Sequence, residues 1–156
     1  MPDKEIIISV AVLVVEDEIL IRLSMADAFS DAGFQVFEAN HAEKAVAVLQ
    51  EHASKIDVLF TDVNMPGAKD GLALAHLVKR HWPWIGLLVT SGRAMCATAE
   101  MPSGSQFIPK PYRARDAIES MRKLAFAAER GSGQRLCRAV DRANNSAGIP
   151  ILSENG

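Results

Sequence analysis

Cysteine is scarce. The chain of 156 residues has two, Cys96 and Cys137, far apart in sequence and in no metal-binding spacing. That argues against a disulfide framework or a zinc site and fits a reducing cytosol. The histidines (His41, His52, His76 and His81) form no ligand cluster in the sequence. A charge excess is also lacking. The formal net charge of -2 provides no broad electrostatic attraction to nucleic acid, so no direct nucleic-acid partner is expected. Long apolar runs are missing as well. The run from Ile6 to Val15 is too short to span a bilayer. Its leader, "MPDKE", is not basic, and acids follow where small cleavage-site residues would stand, so the run reads as a buried strand rather than a signal peptide. No internal repeats are visible. The chain is long enough for one ordinary domain with a real core.

What is present is an alternation of strand-like and helix-like segments. "VAVLVV" is continuous and β-branched, as a strand buried on both faces should be. Ile21, Met25, Ala28, Phe29 and Ala32 then share one helical stripe, with Gly33 as a stop. "FQVFEA" reads as a short strand. Asn40 with Glu43 resembles a capping box, opening a helix with Ala42, Ala45, Val46, Leu49 and Ala53 inward. "IDVLFT" is the third strand, ending at Asp62. Asp70 and Gly71 precede a helix with Leu74, Leu77 and Val78 inward, which Pro83 terminates. "IGLLVT" is the fourth strand and "QFI" the fifth. Residues 93–105 have no clear period. A last helix carries Ala117, Met121, Leu124, Ala125 and Ala128 on one stripe. Such alternation predicts a parallel sheet covered by helices on both faces, with right-handed crossovers. From Gly131 the sequence is rich in Gly, Ser and Asn, and composition predicts a mostly disordered tail or a short helix over 131–156, with no output domain. Its arginines (Arg135, Arg138, Arg142) read as a solvated face.

In an open parallel sheet, ligands bind outside the carboxyl ends of the strands. Glu16 and Asp17 lie just past strand one, Asp62 ends strand three, Thr90 and Ser91 end strand four, and Lys110 follows strand five. Distant segments therefore deliver acids, hydroxyls and one cation to one edge. "EDE" poses a physical problem, because like charges ~4 Å apart repel by ~4 kcal/mol at an effective dielectric of ~20. A hard cation such as Mg²⁺ would offset that repulsion, and Glu18 is expected to point elsewhere as a helix-start acid. Cation, lysine and hydroxyl around a lone carboxylate stabilise transferred phosphoryl charge, and Asp62 itself is a candidate nucleophile.

At this point a family resemblance enters. "VLVVEDE", "FTDVNMPG", "LLVTSG" and "FIPKPY" resemble, in order and spacing, the receiver domain of bacterial two-component response regulators, of the chemotaxis-receiver-like, stand-alone type. The resemblance implies a flavodoxin-like α/β fold, a doubly wound five-stranded parallel sheet of order 2-1-3-4-5, with the receiver over residues 6–130. It implies Asp62 as phospho-acceptor, Mg²⁺ held by Glu16, Asp17, Asp62 and the carbonyl of Asn64, and Lys110 and Thr90 as phosphate-stabilising groups. It further implies a cis bond at Pro111, and a switch in which Thr90 moves toward the phosphate and Phe107 turns inward. Phe107 reads equally well as a plain core aromatic. The implied partners are a sensor histidine kinase or histidine phosphotransfer protein and an unidentified downstream protein, in the cytoplasm, with no membrane attachment and with homodimerisation open. Such a protein is a phospho-acceptor rather than an enzyme, catalysing at most its own phosphorylation and slow dephosphorylation. Two departures stand out. "PGAKDG" is one residue longer than the common form, and "GRAMCATAEMPSGS" is short and poor for a long fourth helix.

Other classes fit less well. A metal-dependent aspartyl-phosphate hydrolase needs a second acid beside the nucleophile, where "DVN" supplies an amide. A flavodoxin-like cofactor binder needs a phosphate-cradling glycine loop after strand one, where this chain has acids. Trp82 and Trp84 flank Pro83 and read as packing groups.

Overall fold

The computed structural model describes residues 9–65, 70–92 and 101–131, with side chains described through 127. Five strands are present: β1 (Ala11–Val15), β2 (Gln35–Ala39), β3 (Val58–Asp62), β4 (Gly86–Ser91) and β5 (Gln106–Pro109). They pair in parallel in the order β2-β1-β3-β4-β5. The described helices are α1 (Ile19–Asp31), α2 (Ala42–His52), α3 (Gly71–His81) and α4 (Ala114–Gly131), and a short 3₁₀ turn over Ala53–Lys55 extends α2. Of the stretch over 93–105 without clear period, residues 93–100 lie outside the described residues, as does the expected tail over 131–156 except Gly131, which ends α4.

Strand period decides the two layers. Successive side chains point to opposite faces, so Leu13, Val15, Leu59, Leu87 and Val89 meet Ala45 and Leu49 of α2 and Leu74 and Val78 of α3. The alternate set, Val12, Val14, Val58, Phe60, Leu88 and Ile108, meets Met25 and Phe29 of α1 and Ala117 and Met121 of α4. Every residue of β1 and β3 is buried, as central strands covered on both faces require, including the polar Thr61 and Asp62 that end β3. Phe29 packs edge-on against both Phe34 and Phe60, the preferred geometry of aromatic pairs. At the opposite end of the sheet from the strands' carboxyl ends, the buried Asp57 carboxylate accepts from the Ala11 N–H at 2.9 Å and pins the start of β1.

Helix ends follow local chemistry. Gly33 has φ +95°, a conformation that costs other residues energy. There its N–H donates to Ser30 O and the next N–H, of Phe34, to Phe29 O, satisfying the last carbonyls of α1 in a Schellman motif. Asp70 caps α3, accepting from Ala73 N–H at 2.8 Å; Gly71 is already the first helical residue. The cap of α2 differs from the expected Asn40–Glu43 box. The helix starts at Ala42, so the cap falls on His41, whose Nδ1 accepts from Lys44 N–H at 3.1 Å. Trp82 and Trp84 pack against the α2/α3 core, and the Trp84 indole donates to Ala53 O.

Candidate functional site

The period that builds the α1/α4 layer also builds the site. Continuing the alternate set by two residues past Val14, Phe60, Leu88 and Ile108 leads to Glu16, Asp62, Thr90 and Lys110. All four therefore stand at the carboxyl edge of neighbouring strands on one face. Asp62 and Thr90 are register partners across β3 and β4.

Glu16, Asp17 and Asp62 each offer a carboxylate oxygen within 4.8 Å of the others'. Glu16 and Asp62 are 1% and 5% exposed, whereas Asp17 faces solvent. Lys110 Nζ donates to Asp62 Oδ2 at 2.7 Å and to Glu16 Oε2 at 3.3 Å. The remaining oxygens are also used: Asp62 Oδ1 accepts from Asn64 N–H at 3.0 Å, and Glu16 Oε1 from Glu18 N–H at 3.2 Å. Glu18 itself stands outside the carboxylate group as the residue preceding α1. The acids of "EDE" thus divide between one buried in the pocket, one at its mouth and one at a helix start.

Burial pushes the Glu16 carboxyl above its usual range and the neighbouring Asp62 charge adds to this, against the lowering pull of Glu18 N–H and Lys110. For Lys110, burial alone disfavours the ammonium, but its bonds to Asp62 and Glu16 outweigh this and hold its pKa above the usual value. The pocket is thus anionic, tightly paired with one lysine, and open to solvent at Asp17. An oxygen donor set of this kind fits a hard divalent ion such as Mg²⁺ and would not suit a soft one.

Thr90 Oγ1 is buried and, among the described residues, has no hydrogen-bond partner. Leaving a buried hydroxyl unpaired costs about 1–3 kcal/mol, and functional sites are where such groups persist. The Lys110–Pro111 peptide is cis. Phe107 is half-buried and packs on the opposite, α2/α3 face.

Several neighbours have partners that sequence patterns did not assign. Arg22 Nη1 donates to Glu16 O at 3.0 Å, and its Nε lies 3.4 Å from Glu38 Oε1; a lone basic residue one turn into an apolar helix start was the available hint. Ser91 Oγ accepts from Asn64 Nδ2 at 3.1 Å, a specific partner for one of the hydroxyls expected at this edge. The Tyr112 hydroxyl is buried without a described partner, and burial pushes its pKa up to about 12. Ile19, Leu20 and Leu23 of α1 are exposed. Beside them a cavity of about 560 Å³ is lined by Leu20, Ile21, Ser24, Met25 and the Lys110–Tyr112 loop.

Acids and a lysine gathered at the carboxyl edge of a 2-1-3-4-5 sheet define a class, the receiver domains: signalling phospho-acceptors, not generally classed as enzymes, that bind Mg²⁺ at an acidic pocket. The chain belongs to the response regulator receiver domain family, whose model matches residues 12–122. The transcriptional regulatory protein PdtaR of Mycobacterium tuberculosis is 31% identical over 113 residues, covering 70% of this chain and 54% of that protein. The sensor kinase CckA of Brucella abortus is 29% identical over 119 residues, 74% of this chain but 12% of that protein. The chain thus spans about half or less of these relatives' length. A response regulator receiver protein from Sinorhizobium medicae superposes with a TM-score of 0.72 at 26% identity, covering 77% of this chain and 97% of that one. No helix among the described residues is long and apolar enough to cross a membrane.

Proposed function

We propose that residues 6–130 act in the cytoplasm as a receiver that takes a phosphoryl group from a phosphohistidine, on a sensor kinase or phosphotransfer protein, onto Asp62. The observation that carries this reading is the Lys110 ammonium held 2.7 Å from the Asp62 carboxylate beside two further acids. In the transfer an Asp62 oxygen attacks phosphorus, the P–N bond breaks, and the donor imidazole leaves with the electron pair. Glu16, Asp17, Asp62 and the Asn64 carbonyl would hold Mg²⁺, which when bound neutralises developing phosphoryl charge. Lys110 then exchanges a carboxylate partner for a phosphoryl oxygen, a stronger charge-assisted bond. Thr90, with a hydroxyl that lacks a partner among the described residues, gains one. Phe107 repacks on the other face of the sheet, biasing a signalling surface by the ~1–3 kcal/mol typical of allosteric coupling.

Ile19, Leu20 and Leu23 form exposed apolar surface on α1, and Leu20 shares a cavity with Lys110, the partner of Asp62, which supports a macromolecular donor over a small ester. The hydrolase alternative gains no support, since position 64 is an amide that donates to Ser91. The test is labelling with acetyl phosphate or a phosphorylated kinase. Wild type should label in a Mg²⁺-dependent manner and Asp62→Asn should not. Labelling that persists in Asp62→Asn, or that needs no divalent ion, overturns the reading.

A further inference from the structure

We propose that Arg22, steadied by Glu38, is a positioning residue that fixes the acidic loop in its cation-binding geometry. The inference rests on the reading of Glu16, Asp17 and Asp62 as ligands of a divalent ion. The loop between β1 and α1 has few ties of its own. Glu16 N–H donates to Ala39 O at 3.1 Å, and Glu18 N–H is held by the Glu16 side chain. The Glu16 carbonyl is held by Arg22 Nη1 at 3.0 Å. That carbonyl belongs to the planar Glu16–Asp17 peptide, so anchoring it sets the direction in which Asp17 leaves the chain. The Arg22 guanidinium is in turn braced by Glu38 Oε1 at 3.4 Å from the edge strand β2, with side chains 16% and 39% exposed. A planar guanidinium can serve a carbonyl and a carboxylate at once, which a lysine cannot do with the same geometry.

The sign of the effect separates this role from plain electrostatics. A guanidinium beside a cation site repels the cation, so charge alone predicts that removing it tightens Mg²⁺ binding. Positioning predicts the reverse. Outer-shell partners of metal ligands typically contribute about 10–100-fold in affinity.

The experiment is a Mg²⁺ titration of the unphosphorylated full chain, followed by the backbone amide resonances of Asp17, Asp62 and Asn64. Wild type is compared with Arg22→Met, Arg22→Lys and Glu38→Gln. Arg22→Met should raise the apparent Kd by about tenfold, with Arg22→Lys between it and wild type. Glu38→Gln, a substitution at a half-exposed strand position that leaves the fold intact, should shift Kd in the same direction by less. In acetyl phosphate labelling the variants should need more Mg²⁺ for half-maximal rate and keep the saturating rate. An unchanged or lower Kd in Arg22→Met, with wild type binding normally, overturns this inference alone, whatever Glu38→Gln does, because losing the Glu38 charge raises Kd by electrostatics in any case. If wild-type resonances at Asp17 and Asp62 do not respond to Mg²⁺, the ligand reading fails and this proposal falls with it.

Discussion

Thr90 stands opposite Asp62 in the β3/β4 register, and its buried hydroxyl has no described partner while the aspartate beside it has two. The unphosphorylated state therefore carries a cost that an additional acceptor at Asp62 would remove. Thr90→Val keeps the shape and deletes the orphan hydroxyl. It should leave the unmodified protein as stable as wild type or up to about 1–2 kcal/mol more stable. Beryllofluoride, a phosphoryl mimic, should then stabilise Thr90→Val less than wild type. Thermal melts with and without the mimic measure both, and an equal gain in the two proteins would remove Thr90 from the switch.

Lys110 neutralises two buried carboxylates. Lys110→Met should destabilise the metal-free protein by about 1–3 kcal/mol, less than the loss expected for a fully buried pair because the lysine side chain is 24% exposed. Mg²⁺ should restore part of that loss by supplying another cation. Urea denaturation with and without Mg²⁺ tests this, and a stability unaffected by the substitution would mean that the pairing contributes nothing.

Gly71 sits against the backbone of the acceptor. A Cβ there would clash with the backbone carbonyl of Asp62, so Gly71→Ala must displace either α3 or the end of β3. It should cost about 1–3 kcal/mol as overpacking and should sharply reduce acetyl phosphate labelling. Gly33→Ala is the matched control. Its space is open but its φ is +95°, so it should cost about 1 kcal/mol and leave labelling intact. Equal labelling in both variants would mean the glycine does not set the acceptor's position.

Tyr112 is the chain's one tyrosine, so tyrosinate absorbance reports it alone. Burial raises its pKa from 10.0 to about 12 in the folded protein. The folded state therefore holds its proton where the unfolded chain releases it. The stabilisation is complete below about pH 10 and declines as pH rises toward about 12. A folded-state midpoint near that of the denatured chain would show that the phenol is solvated.

Much of the site was legible in the order of the residues. An unbroken β-branched run ending in acids, a strand ending in Asp62, and a lysine before Pro111 place chemistry at strand ends. Parallel topology brings strand ends to one edge whatever the details of packing. Helix stripes such as Ala45–Leu49 and Met121–Ala125 were equally plain, because period alone assigns a buried face. The cap of α2 was misplaced by one residue because Asn40 and His41 both offer an acceptor, and only the docked position of the helix selects between them.

Composition and periodicity by themselves fixed the fold class and which residues share an edge, since alternation of side-chain direction and the short reach of βα connections leave few alternatives. The tertiary structure alone decided the partners. Lys110 bridges Asp62 and Glu16, Arg22 donates to the carbonyl of Glu16, and the Thr90 hydroxyl has no partner among the described residues. The exact bonds depend on sub-ångström placement of groups from different strands and helices, which no local rule of sequence encodes.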